Sequence, residues 1–487
     1  MATNPTVGGD LLRLITAGMY DNPLILYREY LQNAADAIAA QGGGGVHVMI
    51  DRIRSQVAIR DDGTGLSPRE AARRLIDVGR SGKAARTLDR GFRGIGRLSA
   101  LAFAEQVQFT TRTCATEPVT EVTWSGRALR DPDLAQVDVT TAIERCTTIR
   151  QLLHGDWPER FFDVRIDRIH RHAASALLNE DNVRSYIGEV CPVPMANAFP
   201  LANRIREFLA THTDYFVLDV RVNGDDSPVR RPFGETIPLT DKYGAAFERL
   251  ETRVIPKIDG NDPAAIVWMA HTPYAGSIPR GVGVRGLRAR AGNIQVGSDR
   301  IFEHLFLEPR FNGWCVGEVH ILDNRIVPNG RRDYFEPSPH QRNLENHIGA
   351  IAHEISSRCR RASSQRNKLR HIGTAINRLR RARDFAVSGY LRPEDAIALV
   401  ERERQRIPEI KQILTALGAA TSTSDQKDLA RFETQLANIE VNRESALNGV
   451  SPHSVATIQA AFGAIAETLP PDSAYDMVET ILRRLSG

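Results

Sequence analysis

Between residues 21 and 40 the apolar positions recur at helical spacing. At about 100° per residue, Tyr27, Leu31, Ala34 and Ile38 fall on one side, while Glu29, Asn33 and Asp36 fall opposite. Asp21-Asn22-Pro23 predicts the start of this helix, a side-chain acceptor followed by proline at the first helical position. The glycines at 42 to 45 predict its stop. The period then changes to two: Val46, Val48 and Ile50 alternate with polar residues, as do Val57 and Ile59, which predicts a β-hairpin. From about 200 to 340 the pattern is strand and loop, with strands expected at Tyr215 to Val222, Ala265 to Ala270 and Gly317 to Leu322. Phe335-Glu336-Pro337-Ser338-Pro339 breaks the chain. Beyond it the pattern is helical, interrupted near Pro393, Pro408, Thr421 to Ser424 and Pro470-Pro471. Three domains are expected, at 1–195, 196–340 and 341–487.

Length agrees with that division, since 487 residues exceed what one ordinary core organises. With 42% hydrophobic and 25% charged residues, the composition is that of a globular chain. No apolar run approaches the roughly eighteen residues of a membrane-spanning helix. The opening MATNPTVGGD lacks the basic-then-apolar order of a secretory signal. Cys114, Cys146, Cys191, Cys315 and Cys359 are scattered, odd in number and never in a CxxC spacing. Reduced thiols in a cytoplasmic protein are expected, without a zinc site or disulfide framework. A net charge of +4 is too small to imply a nucleic-acid partner by itself.

Three local patterns carry candidate chemistry. The polar face of the first helix concentrates a carboxylate, an amide oxygen and a second carboxylate, although any solvated amphipathic helix shows a polar face. The hairpin's second strand runs into Asp61-Asp62-Gly63-Thr64-Gly65-Leu66, placing a carboxylate at a sheet edge before glycines that let a ligand approach the backbone. A buried Asp61 there could accept from an exocyclic amino group such as that of adenine; an ordinary Asp-Gly turn reads the same way. Gly91-Phe92-Arg93-Gly94-Ile95-Gly96 then leads into a helical pattern, where free amides and the helix dipole suit phosphate. Lys83, Arg86, Arg90, Arg93 and Arg97 surround it. No GK[ST] follows, so it is not a Walker A loop, and the spacing is wrong for a dinucleotide fingerprint.

Taken in order, Glu29-x-x-x-Asn33-x-x-Asp36-Ala37, then Asp61-x-Gly63-x-Gly65, then Gly91-x-x-Gly94-x-Gly96 resemble the ATP site of the GHKL superfamily, which comprises gyrase, the heat-shock chaperones that include HtpG, the histidine kinases and MutL. Val78-Gly79-Arg80-Ser81-Gly82-Lys83 is similar to the chaperone branch's adenine-pocket and lid segment. The resemblance implies an α/β N-terminal domain, a two-layer sandwich of helices on a largely antiparallel sheet, with ATP and Mg²⁺ between the layers. Glu29 resembles the general base, Asn33 the Mg²⁺ ligand and Asp61 the adenine-reading carboxylate. Asp36, Gly63 and Gly65 join the ATP site. Ser81, Gly82, Lys83, Gly91, Phe92, Arg93, Gly94, Ile95 and Gly96 form the lid. The glutamate separates the chain from the histidine kinases, which lack it, and favours a hydrolase.

Further on, Gly317 to Asp323 followed by Ile326 to Asp333 looks like the chaperone middle domain, an α/β transducer whose loop arginine reaches the terminal phosphate. Arg332 is the best match and Arg331 the second. The C-terminal domain is expected to be all-α and does not align with the chaperone dimerisation domain. Its basic stretch, from Arg358 to Arg383, is open to an acidic partner or nucleic acid, and equally to a solvated helix face. The expected whole is a homodimeric, Mg²⁺-dependent ATP hydrolase that remodels a protein client. Two alternatives are a nucleic-acid clamp like MutL or the MORC ATPases and a nucleotide-gated scaffold in a bacterial stress or defence system.

Overall fold

The computed structural model describes residues 7–16, 20–78, 96–153, 155–417, 423–442 and 444–485. It divides into two compact units, Met1–Cys359 and Arg360–Gly487.

In the first unit the expected hairpin forms. Gly45–Asp51 (β1) and Gln56–Asp61 (β2) pair antiparallel with Val48 opposite Ile59. The chain continues through Ala104–Arg112 (β3), Val119–Ser125 (β4), Thr147–Leu152 (β5), Phe161–Ile169 (β6) and Asp219–Val222 (β7). These seven strands form one sheet in the order β5-β4-β3-β6-β2-β1-β7. Every pairing is antiparallel except β1 with β7. The segment Tyr215 to Val222, expected among the middle-region strands, therefore supplies the edge of the N-terminal sheet, and only its second half is strand. Strand partners are a long-range property that local alternation does not encode.

The helix Ile25–Gln41 lies on this sheet, with Tyr27, Leu31, Ala34 and Ile38 buried in the core as their spacing requires. It begins two residues later than the Asn22-Pro23 signal suggests. Asn22 Oδ1 accepts from the Leu24 amide at 3.0 Å and the first turns close i→i+3, so the cap residues form a lead-in turn. Its end is as expected: Gly42 adopts a left-handed φ of 88° and returns its amide to the Ile38 and Ala39 carbonyls.

A second sheet holds Arg249–Pro256 (β10), Pro263–His271 (β11), Gly286–Ala291 (β12), Ile294–Val296 (β13) and Val316–Ile321 (β14) in the order β10-β11-β14-β12-β13. Thr236–Thr240 (β8) and Tyr243–Ala246 (β9) make a separate hairpin. The expected strands at 265–270 and 317–322 are β11 and β14. Near the middle of this sheet Glu318 is buried, bonded to Arg231 at 2.6 Å, Arg290 at 2.5 Å, His320 at 3.1 Å and Trp268 at 3.2 Å. Burial alone would push its carboxyl up, but Arg231 and Arg290 hold it well below the ordinary carboxylate range.

After Pro339 the described chain is helical, at Pro339–Val387, Pro393–Arg404, Ile407–Leu417, Thr423–Ala437, Pro452–Thr468 and Pro471–Leu485. Prolines 393, 452 and 471 stand at helix starts, where a missing amide costs nothing. The second unit packs around Ile372, Leu379, Phe385, Leu399, Ile410, Phe432, Phe462 and Val478. Among the described residues its core contains one carboxylate, Glu403, fully buried and gripped by Arg378 at 2.7 and 2.9 Å. Arg381 pairs with Asp476, and Arg383 with Asp384 and Gln435. In the first unit Arg358 pairs with Glu251 at 3.3 Å. Arg358, Arg378, Arg381 and Arg383 of the basic stretch therefore serve intramolecular ion pairs, and these four give the nucleic-acid reading no support. Among the described residues no helix is long and apolar enough to cross a membrane, and all five cysteines are free thiols.

Candidate functional site

The exposed side of the Ile25–Gln41 helix carries the half-buried Glu29, Asn33 and Asp36. Glu29 is the focus of the local geometry. Its Oε1 accepts from Arg28 Nε at 3.2 Å and Nη2 at 3.1 Å. Its Oε2 faces Gly96 so closely that a Cβ at 96 would lie 2.1 Å from it. The last glycine of GxxGxG thus abuts the candidate base, and any side chain there would displace it. Arg28 is itself buried, and its Nη2 also reaches the Arg331 carbonyl at 3.4 Å. That contact brings the loop of residues 329–334 onto the same face as Glu29. The half-buried Arg332 side chain feels the charges of Glu29, Asp36 and Arg28; burial lowers its pKa, and the two carboxylates oppose that shift. The Arg331 side chain is exposed.

The DxGxG turn sits at the end of β2. Asp61 is buried and accepts from the Gly63 amide at 2.9 Å. Burial raises its carboxyl to about 7, with the Gly63 amide pulling the other way and Asp62 and Asp163 adding to the rise. Gly63 lies against the helix, where a Cβ would meet Ala37 Cβ at 2.6 Å. Gly65 has φ of 61° and a Cβ there would be 2.1 Å from the Arg112 carbonyl. Both glycines are thus required by close approach.

Residues 26–155 match the family described as histidine kinase-, DNA gyrase B- and HSP90-like ATPases. The N-terminal domain is GHKL-like. Chaperone protein HtpG from Gluconobacter oxydans is 29% identical over 142 residues, covering 24% of this chain and 22% of that protein. Chaperone protein HtpG from Chlorobium phaeovibrioides is 27% identical over 185 residues, covering 33% and 29%. The chain thus spans less than a third of the length of the curated relatives it matches.

Two contacts join the three motifs: Glu29 meets Gly96, and Ala37, one residue after Asp36, meets Gly63. Ser81, Gly82, Lys83, Gly91, Phe92, Arg93, Gly94 and Ile95 lie outside the described residues. The helix expected after GxxGxG is a 3₁₀ turn, Gly96–Ala102, in its described part. Tyr30 donates its hydroxyl to the Arg97 carbonyl within this turn at 2.7 Å. For a divalent cation the described residues offer no cluster of three His, Cys, Asp or Glu side chains. A single amide oxygen from Asn33 fits Mg²⁺, which keeps waters and is held largely by substrate phosphates.

Several residues around the site escape sequence reasoning. Arg28 occupies a core-facing position between Leu24 and Leu31, and a cation in that stripe is the signal that would have found it. Tyr20 and Tyr186 pack nearby, and burial drives both phenols upward, Tyr20 to about 12. Thr111, buried in β3, accepts from the Leu66 amide at 2.9 Å and donates to the Phe161 carbonyl at 2.9 Å, pinning the DxGxG turn to the sheet.

Proposed function

We propose that this protein binds ATP with Mg²⁺ and hydrolyses it, and that nucleotide closes a homodimer and remodels a protein partner. The observation that carries the reading is the convergence of Glu29, paired to Arg28 and abutting Gly96, with the loop of Arg332. Glu29 orients the attacking water and takes its proton. Asp61 accepts from the adenine amino group, over a floor shaped by Gly63 and Gly65. Asp36 borders the nucleotide, residues 81–83 and 91–96 cover it, and Arg332 steadies charge on the terminal phosphate. When bound, Mg²⁺ would neutralise phosphate charge with Asn33 Oδ1 among its ligands. On this reading residues 1–195 bind nucleotide, 196–340 transduce, and 341–487 associate. The test is Mg²⁺-dependent phosphate release from ATP by the full chain. Tight ATP binding without release, even with candidate partners added, would replace this reading with a nucleotide-gated scaffold.

The raised Asp61 adds a pH dependence. Its folded value of about 7 exceeds the ordinary 3.8, so the folded protein holds this proton longer than the unfolded chain does. The resulting contribution to stability is present at low pH and lost as pH rises towards about 7. Nucleotide that donates to the ionised carboxylate pulls the other way. ATP affinity should therefore strengthen as pH rises through about 7 and then level off, with proton release on binding below that value. Calorimetry in buffers of different ionisation enthalpy reads that proton directly, and Asp61→Asn should flatten the profile. A wild-type profile already flat across this range would remove Asp61 from the adenine pocket.

A further inference from the structure

Arg332 stands on a loop, and its usefulness depends on what fixes that loop's backbone. Arg332 adopts φ of 57°, in the left-handed region, and its carbonyl accepts from the Gly297 amide at 2.8 Å. Gly297, just after β13, has φ of 67°, and a Cβ there would lie 2.7 Å from the Asp333 carbonyl. The loop and the end of β13 are therefore in backbone contact. The Gly297 carbonyl in turn accepts from Gln295 Nε2 at 3.1 Å. Gln295 is buried, and its Oε1 accepts from Arg288 Nη1 on neighbouring β12 at 2.9 Å. The same Arg288 nitrogen pairs with Glu189 Oε2 at 3.1 Å. Glu189 lies in the last turn of the helix Glu180–Val190, and its carbonyl accepts from Arg290 at 2.7 Å. That helix also carries Tyr186, within electrostatic reach of Arg28 and Glu29.

We propose that Gln295 is a positioning residue for Arg332, the central link of a relay from the half-buried Glu189 through the buried Arg288 and Gln295 and then Gly297 to the Arg332 backbone. The inference rests on the reading of Arg332 as the group that meets the terminal phosphate. A primary amide suits the link because it accepts from the guanidinium at one end and donates to a carbonyl at the other. A carboxylate would keep the first bond and lose the second, turning an acceptor towards the Gly297 carbonyl. The relay makes the end of β13 and the helix Glu180–Val190 one framework, so Arg332 is fixed to the helix whose Tyr186 lies within electrostatic reach of Glu29 rather than merely tethered to the second sheet.

The test compares wild type, Gln295→Glu and Gln295→Leu in the full chain, each also in an Arg332→Ala background. Both substitutions should lower kcat on the order of 10- to 100-fold through misplacement of the arginine, with KM for ATP moving less than about twofold, because Arg332 is proposed to act on charge that develops in the transition state. In the Arg332→Ala background they should cost nothing further. Unchanged kcat, or an equal loss with and without Arg332, would overturn the inference. Hydrogen exchange gives a second reading that needs no turnover: the Gly297 amide should lose protection in Gln295→Leu while β11 and β14 keep theirs. Protection lost across the whole sheet, or retained at Gly297, would also overturn it. A wild type that releases no phosphate sinks the ATPase reading by itself, and the exchange pattern then still decides whether Gln295 fixes the loop.

Discussion

Phosphate release should fall at least about 100-fold in Glu29→Ala while ATP binding persists. A positioned carboxylate that takes a proton in the transition state accounts for roughly that factor or more, and the proposed contacts to adenine and phosphates lie on other residues. Alanine has a side effect here, because it deprives the buried Arg28 of the carboxylate that holds its Nε and Nη2. Glu29→Gln separates the two consequences. Its amide oxygen can still accept from Arg28, so packing survives, but the side chain can no longer take a proton. Single-turnover phosphate release and nucleotide affinity, measured side by side, check this. Equal loss of binding and turnover would mean that Glu29 holds the site together; turnover retained in Glu29→Gln would remove it as the base.

The second large effect is expected from Arg332→Ala, a loss of at least about 10²- to 10³-fold in kcat, the range for removing one preorganised donor from charge that develops in the transition state. Arg332→Lys should recover part of it, keeping charge without the planar fork. Arg331→Ala is the informative control. Its side chain is exposed, and its contact with the site runs through its backbone carbonyl, which alanine retains. Arg331→Ala should therefore stay near wild type. If instead Arg331→Ala is the damaging change and Arg332→Ala is mild, the assignment of the two arginines is reversed.

The Ile25–Gln41 helix was legible because its message is local. Glu29, Asn33 and Asp36 share a face by spacing alone, and Gly42 ends the helix where a left-handed residue is needed. The β1–β2 hairpin was legible for the same reason. Arg28 was not, since a charged residue in an apolar stripe looks like noise until its carboxylate partner is placed beside it. The Glu318 cluster and the Gln295 relay draw on residues from 189 to 333, and no periodicity predicts such meetings. Strand β7 belongs with them: its alternation was visible but its partner was not.

The parallel pairing of β1 with β7 also bears on how the chain is made. Val46 and Val48 find their outer neighbours in Val220 and Val222, so the first strand to leave the ribosome waits for one synthesised some 170 residues later, an interval of roughly ten to thirty seconds at ordinary elongation rates. During that interval the β1 backbone is an open edge able to recruit another nascent strand. Its exposed flank begins with Gly43 and Gly44, a poor template for pairing. A fragment cut at residue 195 would make that open edge permanent, so clones intended for the nucleotide-binding part alone should extend past Val222.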